Sequence, residues 1–580
     1  MQSPAVTVQE ASTQHYIPNV TNETACFVGH FERGPVNVPV YITNINDFKF
    51  IFGRAVGDHY NDWYQVYNYL QYCSGVWVAR SVGTSRANSN NGSELTIDRY
   101  SQWEELYPSL PVSTVRLIAR TPGTWGNLLS IAIIAKPEYD DNVLLGYDRY
   151  AKDTFTYFED GYFGVAVFRD GLLVETFYKP FDSLEDLNAE SAYLYSKVDT
   201  SSLPTEILEL IDFIAKSGIL DMGDLTTKTT TDDMGLISNG ITQTIDLGPV
   251  LSGSFGGYIF YDSTIIDFQN GYNMPPSEDD LAYTYSLFED PEYFDIDIVI
   301  GNERDNTLAI NLAETRRDCM AFIGFPTVLI SYLKLLMGAG NNPIPAITPD
   351  GFVIGLNEFI IPVNLTDVAF AKFDEYIATI PESQFCHFTM NVKVQYDIFT
   401  NKNRLVNVAG DTAGLKAEAS LKSPWTVGAG LERGVVKNTI RMFMNLSASQ
   451  KLRYYKKALN YFEKGALVTQ KTFTTRPNSF NRVNIRSLFN HIEKETKYVL
   501  RNIVFDENTL RVRQNVATHV KRYLQDIKTN GGIESARVNV YPDGERAIVC
   551  EVTVKPTYVA ETISIRVTNA GTNDFTSVVS

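Results

Sequence analysis

Along this chain the spacing of apolar residues switches between a period of two and a period near four, and the switches predict where elements begin and end. Val6 and Val8 alternate with polar positions behind Pro4, which predicts a short strand before the polar linker HYIPNVTNET. ACFVGHF (25–31) and VPVYIT (38–43) predict two strands joined by the turn Glu32-Arg33-Gly34-Pro35. Asn46 or Asp47 is expected to cap a helix, DFKFIF, that stops at Gly53. A helix opened by Asn61 puts Trp63, Val66, Tyr67 and Leu70 on one face, and VWVARSV (76–82) returns as a strand. Residues 20–83 therefore read as an α/β unit.

Periodicity is lost over 84–113. It resumes with VRLIAR, a turn over 121–127 and LLSIAIIA, and the alternating runs around Arg169-Asp170-Gly171 predict a hairpin. Residues 224–240 are poor in apolar positions and predict a protruding loop or edge. FDIDIVIG, NTLAINLAETRRD and CMAFIGFP read as strand, helix and strand, a βαβ unit with parallel pairing. A helix (VLISYLKLLM) and strands (FVIGL, FCHFTMNVKV) are expected after it.

PWTVGAG (424–430) marks a boundary. Beyond it the pattern predicts a helix over 433–446, then a basic, aromatic helix, QKLRYYKKALNYF, capped by Ser447 or Ser449. After a short strand (ALVTQKTF), a long helix follows with Ile485, Leu488, Phe489, Ile492 and Val499 on one stripe and Arg486, Lys494 and Lys497 away from it. Asn508 opens a further helix with Val516, Val520, Tyr523, Leu524 and Ile527 inward, stopped by Asn530-Gly531-Gly532. RVNVY and RAIVCEVTVKP flank Pro542-Asp543-Gly544 as a hairpin, and TISIRVT ends the pattern with Ile563, Ile565 and Val567 on one face. The fold class expected is α/β and α+β, multidomain: an arm at 1–19, a core in two parts at 20–83 and 291–423, an inserted β-rich region at 84–290, a C-terminal α+β domain at 424–556 and a terminal strand at 557–580.

Charge divides the chain more sharply than hydropathy. Residues 424–580 hold 24 Lys and Arg against 13 Asp and Glu, a balance of +11, whereas the remainder holds 26 against 55, or −29. Acidic residues cluster over 153–190 and 278–297. Two faces of opposite sign speak of partners rather than of fold. The 44% hydrophobic and 20% charged fractions belong to a folded chain. Five widely spaced cysteines indicate neither a disulfide framework nor a zinc ribbon. The start MQSPAVTVQEAS lacks the features of a signal peptide, and Met320–Met337 is interrupted by Pro326, Ser331 and Lys334, so a soluble, cytosolically made product without membrane insertion is expected.

No H-E-x-x-H, P-loop, G-x-G-x-x-G or G-x-S-x-G pattern is present, and the six histidines show no ligand spacing. No catalytic residue, metal ligand or cofactor is assigned. Cys386 and His387 are adjacent, but neighbours in a strand point to opposite faces. Asp295, Asp297 and Glu314 lie beside the expected parallel sheet and are the carboxylates of an alternative, hydrolytic reading. The basic helices suit an acidic protein partner, or a simply solvated face, better than nucleic acid, because their apolar residues pack the module and the whole chain carries −18. The runs around Val6 and Val8, and around Ile563, Ile565 and Val567, suit either tethered strands that join another molecule's sheet or edge strands of the chain's own sheets. About five backbone bonds would contribute roughly 3–8 kcal/mol per arm.

Several segments resemble the tail sheath proteins of contractile-tailed bacteriophages, the T-even-like group above all. They are SPAVTVQE, FVGHFERGPVNVPVYITNINDFKFIFG, TPGTWGNLLSIAI, LAETRRDCMAFIGFP and PNSFNRVNIRSLFNHIEKETKYVLRNIVFDEN with YLQDIKTNGGI. Residues 84–113 and 180–290 match poorly. The resemblance implies a sheath core and a non-enzymatic subunit of a virion tail, assembled in the host cytoplasm. Such subunits stack as hexameric rings around a tail tube and contract to drive it through the host envelope. It implies as partners further copies of the chain, the tail tube protein, and baseplate and tail-terminator proteins. Val6 and Val8 would belong to one linking arm, and Ile563, Ile565 and Val567 to the other. Lys494, Lys497, Arg511, Arg513 and Lys521 would face the tube. The alternatives are a non-contracting structural or receptor-binding tail protein, and a virion glycan hydrolase using carboxylates near 278–297.

Overall fold

The computed structural model describes residues 23–55, 57–90, 94–98, 102, 115–134, 162–169, 172–180, 194–198, 265–327, 329, 346–347, 353–354, 363–364, 367–476, 478–501, 506–545 and 547–559. Chain contacts divide the protein into a larger unit running from Val20 to Val483 and a smaller one whose described residues begin at Asn484. The expected strands around Val6 and Val8 and around Ile563, Ile565 and Val567, and most of the expected helix at 328–337, lie outside the described residues.

The larger unit is built on six strands: β1 (Ala25–Gly29), β2 (Val40–Ile42), β3 (Val76–Arg80), β4 (Ile298–Ile300), β5 (Met320–Gly324) and β6 (Cys386–Thr389). Their order is β6-β5-β4-β1-β3-β2, with every pairing parallel except β2 to β3. Its helices, in chain order, are α1 (Ile45–Phe52), α2 (Tyr60–Tyr69), α3 (Glu278–Ser286), α4 (Asn306–Arg316), α5 (Asp367–Thr379), α6 (Ala409–Ser420) and α7 (Ala448–Lys456). The near-continuous apolar runs of β1, β4, β5 and β6 reflect burial on both faces. Alternate residues sort to two cores. Phe27, Ile298, Ile300 and Phe322 pack with Phe48, Trp63 and Ala413 from α1, α2 and α6. Cys26, Val28, Val299, Ala321 and Ile323 pack with Leu281, Ile310, Phe373 and Tyr454 from α3, α4, α5 and α7. The βαβ unit expected around NTLAINLAETRR is β4-α4-β5.

Helices α2 and α6 meet closely because α6 carries glycines at the contact. A Cβ at Gly410 would lie 2.2 Å from the Gln65 carbonyl oxygen, and one at Gly414 would lie 2.4 Å from the Tyr72 ring. Gln65 also answers the start of α6: its Oε1 accepts the Gly410 N–H at 2.6 Å and its Nε2 donates to the Asn407 carbonyl at 3.1 Å.

Between β3 and β4 the chain contributes antiparallel strands. Leu129–Ile134 pairs with Ile265–Asp267 and with Tyr162–Arg169, which forms the expected hairpin with Leu172–Pro180. Val115–Ala119 pairs with Leu194–Val198. The buried Arg80 ties the loop between Val115–Ala119 and Leu129–Ile134 to the sheet. Its guanidinium donates to the carbonyls of Phe31, Gly34 and Pro122 at 3.1, 2.9 and 2.8 Å.

Several expectations change. The cap of α1 is Asn44, whose Oδ1 accepts the Asp47 N–H at 2.9 Å, not Asn46 or Asp47. FCHFTMNVKV is two strands, because Asn391 at φ 99° turns the chain between β6 and β7 (Val392–Asp397), which pairs with β8 (Lys402–Asn407). Of FDIDIVIG only 298–300 are strand. Residues 433–446 form no helix: their backbone donors go sideways, Ile440 N–H to Val394 O and Val436 N–H to Gly465 O, and Arg441–Met442 joins β7. The β-branched run Val435, Val436, Thr439, Ile440 favours that extended solution. These bonds hold 424–483 in the larger unit, so the break expected at 424 falls at 483/484. Ser447 caps α7, with Gln450 completing a capping box.

Candidate assembly surface

The smaller unit contains α8 (Val483–Arg501), α9 (Leu510–Thr529), β9 (Ile533–Asp543) and β10 (Ala547–Pro556). Thr509 caps α9 by accepting the Val512 N–H at 3.3 Å. Asn508, the residue expected to open this helix, instead reaches the carbonyls of Glu545 and Ala547 at 3.2 and 3.1 Å. Val516, Val520, Tyr523, Leu524 and Ile527 are buried as their spacing predicts. Gly531 at φ 78° ends the helix, and Gly532 N–H returns to the Ile527 carbonyl.

The five basic residues differ in exposure. Lys497, Arg511 and Lys521 are exposed, whereas Lys494 and Arg513 are half-buried. Arg513 stands three residues before Val516 and so on the inward side of α9. Its guanidinium donates to the Asn508 carbonyl at 3.0 Å and to Asn508 Oδ1 at 2.5 Å. Arg486, expected away from the apolar stripe, is buried. Its guanidinium is met along the helix by Asn490 Oδ1 at 2.7 Å and Glu493 Oε1 at 2.8 Å. Arg522 and Lys528, not singled out in the sequence, are exposed on α9. Their helical phase relative to Val520 was the available signal.

β9 and β10 form a ladder from Ile533↔Pro556 to Asp543↔Ala547. The pairs Val538↔Val552 and Val540↔Cys550, with Ile548 and Val554, share one face, and these six side chains are only half-buried. Helix α9 lies against β9 within this unit. Among the described residues the two strands pair only with each other, and no described strand covers either outer edge. A two-stranded ribbon is marginal alone; added strands would complete both ladder and apolar face.

Cys386 packs in the core on one side of β6, while His387 faces Phe322 and contacts Thr389 Oγ1 at 3.2 Å. Burial pushes the His387 imidazole down to about 3 and raises the Cys386 thiol. Asp297 accepts the Thr24 N–H at 3.0 Å, and Asp295 and Glu314 are exposed. Among the described residues no group of three His, Cys, Asp or Glu side chains is placed to hold a metal, and no helix is long and apolar enough to cross a membrane.

No family model matches the chain. Curated relatives do. The chain is 26% identical over 294 residues to the tail sheath protein of Vibrio phage KVP40, covering 48% of this chain and 41% of that protein. It is 27% identical over 286 residues to the tail sheath protein of Enterobacteria phage T4, covering 46% and 40%. The matched region thus spans less than half the length of these relatives. In fold, the chain superposes on the crystal structure of a sheath tail protein from Listeria innocua with a TM-score of 0.52, at 10% identity and 92% coverage of both chains. The mixed α/β architecture is therefore one that a sheath tail protein adopts, and over nearly half its length the chain is a homologue of proteins named tail sheath protein.

Proposed function

We propose that this chain is the structural subunit of a contractile tail sheath. Copies stack as hexameric rings around a tail tube in the virion, meet baseplate and terminator proteins at the ends, and shorten to drive the tube through the host envelope. Assembly occurs in the host cytoplasm, and the energy is stored in the assembled state rather than drawn from hydrolysis. Residues 84–290 form the inserted, outward region, and 1–19 and 557–580 the linking arms.

The observation that supports this reading is the β9–β10 ribbon, whose strands pair only with each other among the described residues and whose apolar face is half-covered. Strands around Val6 and Val8 of one neighbour, and around Ile563, Ile565 and Val567 of another, extend it. Such heterologous contacts generate rings where they close and helical filaments where they do not. Lys497, Arg511 and Lys521 face the tube, with Lys494 at their margin, while Arg513 holds the start of α9.

The test is deletion of residues 1–12. The shortened chain is expected to keep the circular dichroism and melting profile of the full chain and to lose polymerisation. Normal polymers from the shortened chain would refute strand exchange at that end.

A further inference from the structure

The open edge of the six-stranded sheet is β2, which pairs only with β3 among the described residues. A line of ring contacts leads from it: Tyr41 to Trp77 at 5.0 Å, Trp77 to Phe294 at 5.1 Å and Phe294 to Phe288 at 5.1 Å. At the rim of this array Tyr293 is 81% exposed and Tyr41 47%. Helix α3 joins the same edge through Thr284 Oγ1, which donates to Asn37 Oδ1 at 2.7 Å, and carries the exposed Tyr283. The loop bearing Tyr293 is held from beneath. The Arg316 guanidinium donates to the carbonyls of Phe288 and Phe294 at 2.6 and 2.9 Å. A large ring presented by an anchored loop beside an open sheet edge is a surface that calls for cover.

Charge indicates what covers it. Residues 268–303 contain nine Asp and Glu and no Lys or Arg. Glu278, Asp279, Glu289 and Asp290 are exposed. Residues 441–482 of the same unit contain nine Lys and Arg against the single acidic residue Glu463. There Lys456, Lys464 and Arg476 are exposed, and in the same segment the rings of Tyr455 and Tyr461 carry Lys471 and Lys451 at 3.7 and 5.8 Å. We propose that the β2 edge with Tyr293 and its flanking carboxylates docks the basic, tyrosine-bearing surface at 451–476 of a second copy of this chain. The two surfaces differ, so the contact is heterologous and propagates from copy to copy. It is a second link between copies, separate from the ribbon, and rests on the sheath reading only in that copies are brought together at all.

Carbodiimide, which joins carboxylates to amines in contact, tests this on an equal mixture of unlabelled and 15N-labelled full-length protein. Mixed-isotope isopeptides are expected between Glu289 or Asp290 and Lys456 or Lys464. Tyr293→Ala should lower their yield about tenfold or more, as loss of a buried aromatic anchor does. Tyr293 is too exposed for that change to endanger folding. Carboxylates joined only within one chain, or only to the partner copy's lysines beyond residue 484, would overturn the proposal. Tubes or rings in electron micrographs without the expected isopeptides would leave the sheath reading standing and sink this contact. Isopeptides without any ordered assembly would do the reverse.

Discussion

Lys393 Nζ lies 2.9 Å from Asp411 Oδ2, with both side chains shut away from water. The pair joins β7 to the first turn of α6, and the Tyr72 hydroxyl donates to Asp411 Oδ1 at 3.0 Å. Removing one member leaves a buried charge alone. Asp411→Asn is expected to destabilise the larger unit by about 3–5 kcal/mol, seen as a lower urea midpoint. The double change Lys393→Met with Asp411→Leu should recover most of that loss. Equal midpoints for Asp411→Asn and the parent would show that the pair contributes nothing.

Glu303 gives a pH dependence of defined sign. Its carboxylate accepts the Thr327 N–H at 2.8 Å, and burial pushes its pKa from the usual 4.5 up to about 7. Between those values the folded protein holds a proton that the unfolded chain has released. Stability from this group is therefore full below about 4.5 and falls as pH rises toward 7. Its size is at most about 3 kcal/mol. Buried Asp62, also raised by desolvation, acts in the same direction. Glu303→Gln should flatten the stability difference between pH 5 and pH 8; an unchanged slope would contradict it.

Thiol labelling should be selective. Cys26, Cys73, Cys319 and Cys386 are buried, and burial pushes the Cys26 thiol up to about 12. Cys550, on the half-covered face of β10, is the one thiol not fully enclosed. Mass spectrometry after native alkylation is expected to find Cys550 modified well ahead of the rest, and strand addition on assembly should slow it. Rapid modification of Cys319 or Cys386 in the folded chain would contradict the packing described.

The basic residues of the smaller unit should separate by role. Reversal of Lys497 and Lys521 to Glu is expected to weaken co-sedimentation with the tail tube protein, more at low salt than at high salt, since exposed charges are screened. Arg513→Ala should instead lower thermal stability by about 1–2 kcal/mol through loss of its bonds to Asn508, with no salt dependence of tube binding. The opposite pattern would place Arg513 on the tube face.

The sequence shows the fold best where one periodicity runs unopposed. The inward residues of α9 and the alternation in β9 and β10 could be read directly, because each element buries one face against a close neighbour. The helix expected at 433–446 failed because its backbone bonds are decided by β7 and Leu467, which are remote in sequence. The placing of Arg486 away from the apolar stripe failed for a related reason. A basic residue reads as solvent-facing unless its acceptors are known, and for Arg486 they are supplied locally by Asn490 and Glu493. The enclosed Lys393 and Arg80 left only a faint trace, a charged residue inside an apolar run, which does not identify the partner.

The sheath assignment is tested most directly by what the purified full-length protein does in solution. Negative-stain electron microscopy at concentrations that permit self-association is expected to show hexameric rings or tubes with a regular axial repeat. Protein that stays monomeric, folded and dispersed under every ionic strength tried would contradict the sheath reading.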